Sequence, residues 1–111
     1  MEFLDKDLVS IQETRGLIRK AKEAQSKLAR MSQQDIDRIV KAISDAAYEN
    51  SEKLAKMANE ETGFGKWEDK VLKNVFAART VYESIKDTKT VGIVEENVEK
   101  RAFKIMVPVG V

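Results

Sequence analysis

The sequence predicts a mostly α protein, about four helices followed by a C-terminal β-hairpin. Three observations predict it. Apolar residues recur every three or four positions from Ile11 to Ile85, the period turns to alternation after Asp87, and Pro108 is the single proline in 111 residues. Charged residues form 35% of the chain and apolar ones 42%, interleaved throughout, which suits a folded helical segment rather than a disordered one.

Ser10 and Glu13 stand at capping-box spacing, the hydroxyl able to accept a free backbone N–H while the carboxylate reaches back. They predict a first helix from Ile11 to Arg30, striped by Leu17, Ala21, Ala24 and Leu28 with Ile11 and Ile18 beside them, and mildly weakened by Gly16. Ser32 is the next N-cap, with Asp35 at the third helical position and Met31 and Ile36 at the spacing of a hydrophobic staple. The second helix therefore runs from Gln33 to Glu49, with Ile36, Ile39, Val40, Ile43 and Ala47 as its apolar face. Asn50 or Ser51 caps a third helix that carries Leu54, Met57 and Ala58 inward and stops at Gly63, where a left-handed residue costs no side-chain clash.

Gly63-Phe64-Gly65 reads as a tight turn. Trp67, Glu68 and Asp69 then open the fourth helix, its two acids favoured by the helix dipole, and Val71, Leu72, Val75, Ala78, Tyr82 and Ile85 form its buried face. Pairs at i, i+4 support the solvent faces: Glu23–Lys27, Asp37–Lys41, Glu52–Lys56 and Asp69–Lys73. Beyond Asp87, Thr90 to Glu95 carries Val91 and Ile93 on one face, and Arg101 to Val107 alternates Phe103, Ile105 and Val107 against Ala102, Lys104 and Met106. With Glu96 to Glu99 as the turn, these make the hairpin. A lone hairpin is marginal in water, so it leans on the helices or on another chain. Pro108 to Val111 starts another extended apolar segment, which sets the expectation that the chain is part of a longer protein.

Composition excludes several chemistries. Twenty basic residues against nineteen acidic ones leave a net charge of +1, so nothing global points to nucleic acid or to an anionic membrane. There is no cysteine and no histidine, which removes disulfides, thiolate nucleophiles, sulfur-ligated metals and the commonest general base. No apolar run approaches the roughly 20 residues of a membrane span. Met1 to Ser10 holds Glu2, Asp5 and Asp7 and no apolar core of signal-peptide length, so a cytoplasmic home is expected.

Four local features invite a functional reading, each beside a blander one. Gly63-x-Gly65 before a helix could hold an anion, but no strand precedes it and Glu68 and Asp69 repel phosphate, so helix punctuation is favoured. The first helix is locally basic (Arg15, Arg19, Lys20, Lys22, Lys27 and Arg30 against Glu13 and Glu23). It lacks interleaved aromatic residues for base stacking, so a solvated face is favoured over a nucleic-acid or cofactor-phosphate surface. Glu60–Glu61 and Glu68–Asp69 are adjacent on helices and point about 100° apart, which suits surface charge rather than an acid–base pair. Phe64 and Trp67 read as packing anchors rather than a ligand cage.

Glu61 to Asn74, Glu-Thr-Gly-Phe-Gly-Lys-Trp-Glu-Asp-Lys-Val-Leu-Lys-Asn, resembles a segment of the coenzyme-A-acylating aldehyde dehydrogenases, where a Glu-Thr/Ser-Gly-Met/Phe-Gly core precedes Glu-Asp-Lys and Lys-Asn at this spacing. Ala21–Gln25, Ala46–Asn50, Leu54–Ala58, Lys86–Ile93 and Pro108–Val111 extend the resemblance in order over Val9 to Val111. Trp67 departs from it, standing where the family usually carries a smaller residue, so local packing is expected to differ there.

The resemblance implies the N-terminal part of the α/β aldehyde dehydrogenase fold. It also implies an oxidoreductase that joins an aldehyde to coenzyme A and passes hydride to NAD. Residues 1–87 then correspond to helices of the NAD-binding domain, and residues 88–111 to an oligomerisation hairpin and the start of the next strand. The family's oxyanion-hole asparagine, NAD-binding strands and nucleophilic cysteine all follow the Pro-Val-Gly-Val position. No catalytic, cofactor-binding or metal residue is therefore assigned, and the chain is expected to be inactive by itself, to bind neither NAD nor coenzyme A, and to self-associate. The alternative is a stand-alone helical interaction or regulatory module.

Overall fold

The computed structural model describes residues 5–111; the part of the N-terminal reading that falls on Met1 to Leu4 lies outside them. The order is α1 (Lys6–Leu28), α2 (Gln33–Glu49), α3 (Ser51–Thr62) and α4 (Trp67–Val75), which continues without a break through a π-helical segment (Phe76–Val81) into α5 (Tyr82–Ile85); β1 (Gly92–Asn97) and β2 (Ala102–Met106) follow. Four helical rods and an antiparallel two-stranded hairpin are thus what the periodicities predict. The chain divides into two compact units, residues 33–89 and residues 1–32 with 90–111.

In the unit of residues 33–89, α2 has the predicted bounds and begins directly after Ser32 with Asp35 in its first turn. Asn50 holds the N-cap position of α3, as expected, but makes no side-chain capping bond there. Asn50 Nδ2 donates back to the carbonyl of Ala46 at 2.8 Å and Ser51 Oγ to that of Tyr48 at 2.6 Å, so both side chains close the end of α2 instead. A single residue separates the helices, which leaves the orphan carbonyls of α2 closer than the free N–H groups of α3. Gly63 ends α3 as predicted, at φ +68° with its N–H on the Asn59 carbonyl.

The buried positions here are small. Ala55 (1% exposed), Ala78, Ser44 and Ser51 are the buried residues of the unit. This corrects the predicted inward faces: Leu54 and Met57 are exposed on α3, Ile43 on α2, and Leu72 (71%) and Ile85 on the fourth rod. Alanine and serine let neighbouring helix axes approach, and the larger apolar residues are pushed to the rims of those contacts. Asn74 reaches across from α4, its Nδ2 donating to the Ser51 carbonyl at 2.9 Å. Trp67 is half-buried and carries the Lys56 ammonium 4.5 Å above its ring, as a packing anchor should, whereas Phe64 is 75% exposed and anchors nothing.

Surface ion pairs follow the charge pattern only in part. Glu52–Lys56 forms at 2.7 Å, but Asp37 accepts from Gln33 Nε2 and Lys41 turns to Asp45. Helix spacing offers each charge a partner on either side, and the pattern alone does not choose.

In the other unit, α1 starts one turn before the predicted position. Ser10 is interior, its carbonyl accepting from Thr14 Oγ1 at 2.8 Å, so the expected capping box does not form. Asp5 occupies the N-cap position with Asp7 in the first turn, and nothing between them and Ser10 breaks a helix. α1 buries no residue and ends at Leu28, two residues early.

The hairpin turn also sits later than predicted, at Val98 to Arg101, because Asn97 Oδ1 accepts the Lys100 N–H at 2.9 Å and nucleates it. A bulge between Ile93 and Glu95 resets the register, placing Ile93 opposite Ile105 and Glu95 opposite Lys104, whose ammonium it binds at 2.5 Å. Arg101 closes the turn at φ +48°, a left-handed conformation that costs an L-residue about 1–2 kcal/mol. Arg101→Gly is therefore expected to stabilise the hairpin by up to about 1 kcal/mol, the glycine's greater freedom in the unfolded chain offsetting part of the relief. A rise in the urea midpoint at unchanged m-value checks it.

Candidate functional site

The Gly63–Gly65 turn is built by one residue that sequence reasoning passed over. Asn59, one turn back on α3, donates through Nδ2 to the carbonyls of Phe64 at 3.0 Å and Gly65 at 2.9 Å, while Thr62 Oγ1 accepts the Phe64 N–H at 3.2 Å. Gly63 and Gly65 both adopt φ +68°. The turn follows a helix, not a strand, and Glu68 and Asp69 occupy the first turn of α4. Helix punctuation is what the geometry supports.

The other features stay apart. Arg15, Arg19, Lys20, Lys22, Lys27 and Arg30 lie exposed along α1 or just beyond it, and Glu60, Glu61, Glu68 and Asp69 are exposed on α3 and α4. Among the described residues no three His, Cys, Asp or Glu side chains are placed to hold a metal ion, and no helix is long and apolar enough to cross a membrane.

What the fold does assemble lies between α2, α3 and the fourth rod. A groove of about 300 Å³ is lined by Val40, Ile43, Leu54, Val81, Tyr82 and Ile85, with Ser44 and Asn74 among them. Beside it, Asp45 of α2 accepts from Lys41 Nζ at 2.6 Å through one oxygen and from Arg79 Nη1 at 2.7 Å through the other. The Arg79 guanidinium also lies 4.3 Å from the centre of the Tyr48 ring. These bonds hold the Asp45 carboxyl below its ordinary 3.8, chiefly through Lys41 and then Arg79, and raise Lys41 above 10.5 through the same bond. Two polar side chains in an apolar lining, with an ion cluster at its rim, describe a surface for packing rather than a reacting centre.

The cluster has a pH signature. A lowered carboxyl contributes stability above its unfolded value of 3.8 that is lost as pH falls through the folded value; a raised ammonium contributes stability below 10.5 that is lost as pH rises through its folded value. The cluster's contribution to stability is therefore expected to be constant between those limits and to be lost as pH falls below the carboxyl's ordinary 3.8. Asp45→Asn should lower stability at pH 7 and flatten the acid limb, as read by circular dichroism across a pH series.

No family model matches the chain. Over 103 residues it is 46% identical to an acetylating succinate-semialdehyde dehydrogenase of Clostridium kluyveri, covering 93% of this chain and 22% of that protein. Among solved structures, a probable aldehyde dehydrogenase from Listeria monocytogenes matches with a TM-score of 0.80 at 62% identity, over 91% of this chain and 22% of the other. An acetylating aldehyde dehydrogenase from Geobacillus thermoglucosidasius matches with a TM-score of 0.82 at 53% identity, over 93% and 23%. The chain spans about a fifth of the length of these proteins.

Proposed function

The chain belongs to the acylating aldehyde dehydrogenases, matching the N-terminal segment of their sequences, and from that premise we propose that it forms the N-terminal part of a cytoplasmic, NAD-dependent enzyme that converts an aldehyde and coenzyme A to the acyl-coenzyme A. The observation that supports the reading is the match to the Geobacillus acetylating enzyme, 53% identity with a TM-score of 0.82. In this reading residues 1–87 are helical framework of the NAD-binding domain, and residues 88–111 hold the oligomerisation hairpin.

The residues present do not fit NAD or coenzyme A. A dinucleotide's pyrophosphate is held by a glycine-rich turn that leaves a strand and enters a helix, whereas the Gly63–Gly65 turn leaves α3 and meets two carboxylates. Covalent aldehyde oxidation needs an activated nucleophile, and these 111 residues contain no cysteine. No chemical step is assigned to this chain. Its contribution is shape: α2, α3 and the fourth rod present Ile43, Leu54, Leu72 and Ile85 as apolar surface for the remainder of the enzyme to cover.

A chimera tests this. Replacing the matching N-terminal segment of the Geobacillus enzyme with this chain should leave acylating aldehyde dehydrogenase activity within about tenfold of the parent, the loss expected from imperfect packing at about 1.4 kcal/mol. The 111-residue chain alone, given aldehyde, coenzyme A and NAD, should form no NADH. A chimera that is folded and inactive, or turnover by the chain alone, overturns the proposal.

A further inference from the structure

The fourth rod is α-helical at both ends and π-helical between them, over Phe76–Val81. An α-helix gives each carbonyl to the N–H four residues on, so the Ala78 carbonyl would accept from Tyr82. Here the Tyr82 N–H turns to the Arg79 carbonyl three residues back, a tight 3₁₀-type bond at the end of the π segment, and the Ala78 carbonyl accepts from the Ser44 hydroxyl, which reaches it from α2. Ser44 and Ala78 are both buried, so water does not replace that bond. One residue further along both helices, the Asp45 carboxylate holds the Arg79 guanidinium at 2.7 Å, a second tie between α2 and the segment. A side chain inserted into the helical ladder is a recognised cause of such a break.

From this we infer that Ser44 is a latch that selects the π register of Phe76–Val81, and thereby decides which side chains of the rod line the apolar groove. One residue in a helix turns the following residues by about 100°. In the π register Val81, Tyr82 and Ile85 lie along the groove opposite Val40 and Ile43. In an uninterrupted α register they rotate away from it by about that angle. Residues 76–81 thus have two hydrogen-bonding arrangements available, and the hydroxyl on α2 favours one by satisfying the carbonyl that the α arrangement would pair internally.

The test uses the full 111-residue chain and through-hydrogen-bond NMR couplings, which identify the carbonyl that each amide donates to. The wild-type Tyr82 amide should couple to Arg79. In Ser44→Ala it should couple to Ala78, with the Tyr82 and Ile85 side chains turning away from the groove. A folded Ser44→Ala chain whose Tyr82 amide still couples to Arg79 overturns the inference. If Ser44→Ala does not fold, Ala77 is deleted in the same background, removing the residue that the π turn accommodates. Recovery of a folded chain with a continuous helix through the segment supports the latch, and an unfolded double variant overturns it.

Discussion

Replacing Ala55 with leucine should destabilise the unit of residues 33–89 by about 1–3 kcal/mol, seen as a lower urea midpoint at unchanged m-value. Ala55 is 1% exposed on the face of α3 that meets α4, the helix whose Asn74 reaches the Ser51 carbonyl at 2.9 Å. Three added carbons have no space there. They must displace α4, which lengthens the Asn74–Ser51 bond, or force the new side chain off its rotamer. For a domain of this size each kcal/mol lowers Tm by about 4–8 °C, so the change is measurable by heating as well. Met57→Leu, on the exposed side of the same helix, should change stability by no more than about 0.5 kcal/mol. Equal effects of the two substitutions would show that α3 does not bury its alanine face.

The contrast between Ala55 and Met57 also marks what the sequence could reveal. Helix existence was legible because Ile36, Ile39, Val40 and Ala47 keep helical period, and because Ser32 and Gly63 supply backbone chemistry specific to helix ends. Burial was not legible, since periodicity orders residues by hydrophobicity, whereas close helix contacts select small ones. Ser44 illustrates the gap. It falls four residues after Val40 and three before Ala47, a hydroxyl within an apolar stripe, and that position was the available signal. Its partner, Ala78, lies 34 residues away, and no local rule names it. Asn59 was hidden similarly, since an interior helical asparagine gives no sign that it fastens a turn five and six residues on. The family resemblance, by contrast, was carried by spacing within one contiguous segment, Glu61 to Asn74, and needed no tertiary information.

The chain is expected to self-associate through its hairpin, and replacing Ile105 with lysine should weaken that association by roughly 10²- to 10⁴-fold while leaving helicity intact. In β2, Phe103 and Ile105 share one face, and the bulge in β1 brings Ile93 directly opposite Ile105. All three are exposed, Ile105 at 60%, and Val107 continues the patch beyond the strand. Two strands with an apolar face cannot stabilise themselves in water, and the free edge of each presents unpaired backbone groups. A second copy can cover both, most simply about a twofold axis. Burying an isoleucine side chain is worth about 1.5–3 kcal/mol, and a symmetric contact uses it twice, so losing both sets the expected range at 1.4 kcal/mol per tenfold. The lysine also places two like charges at the axis. The fourth rod is unaffected, since its own packing runs through Ala78 and Ser44. Sedimentation equilibrium at several concentrations gives the constant for both chains. A wild-type chain that stays monomeric up to millimolar concentration would exclude the hairpin as an association surface, and equal association by the variant would move the contact to another exposed apolar face.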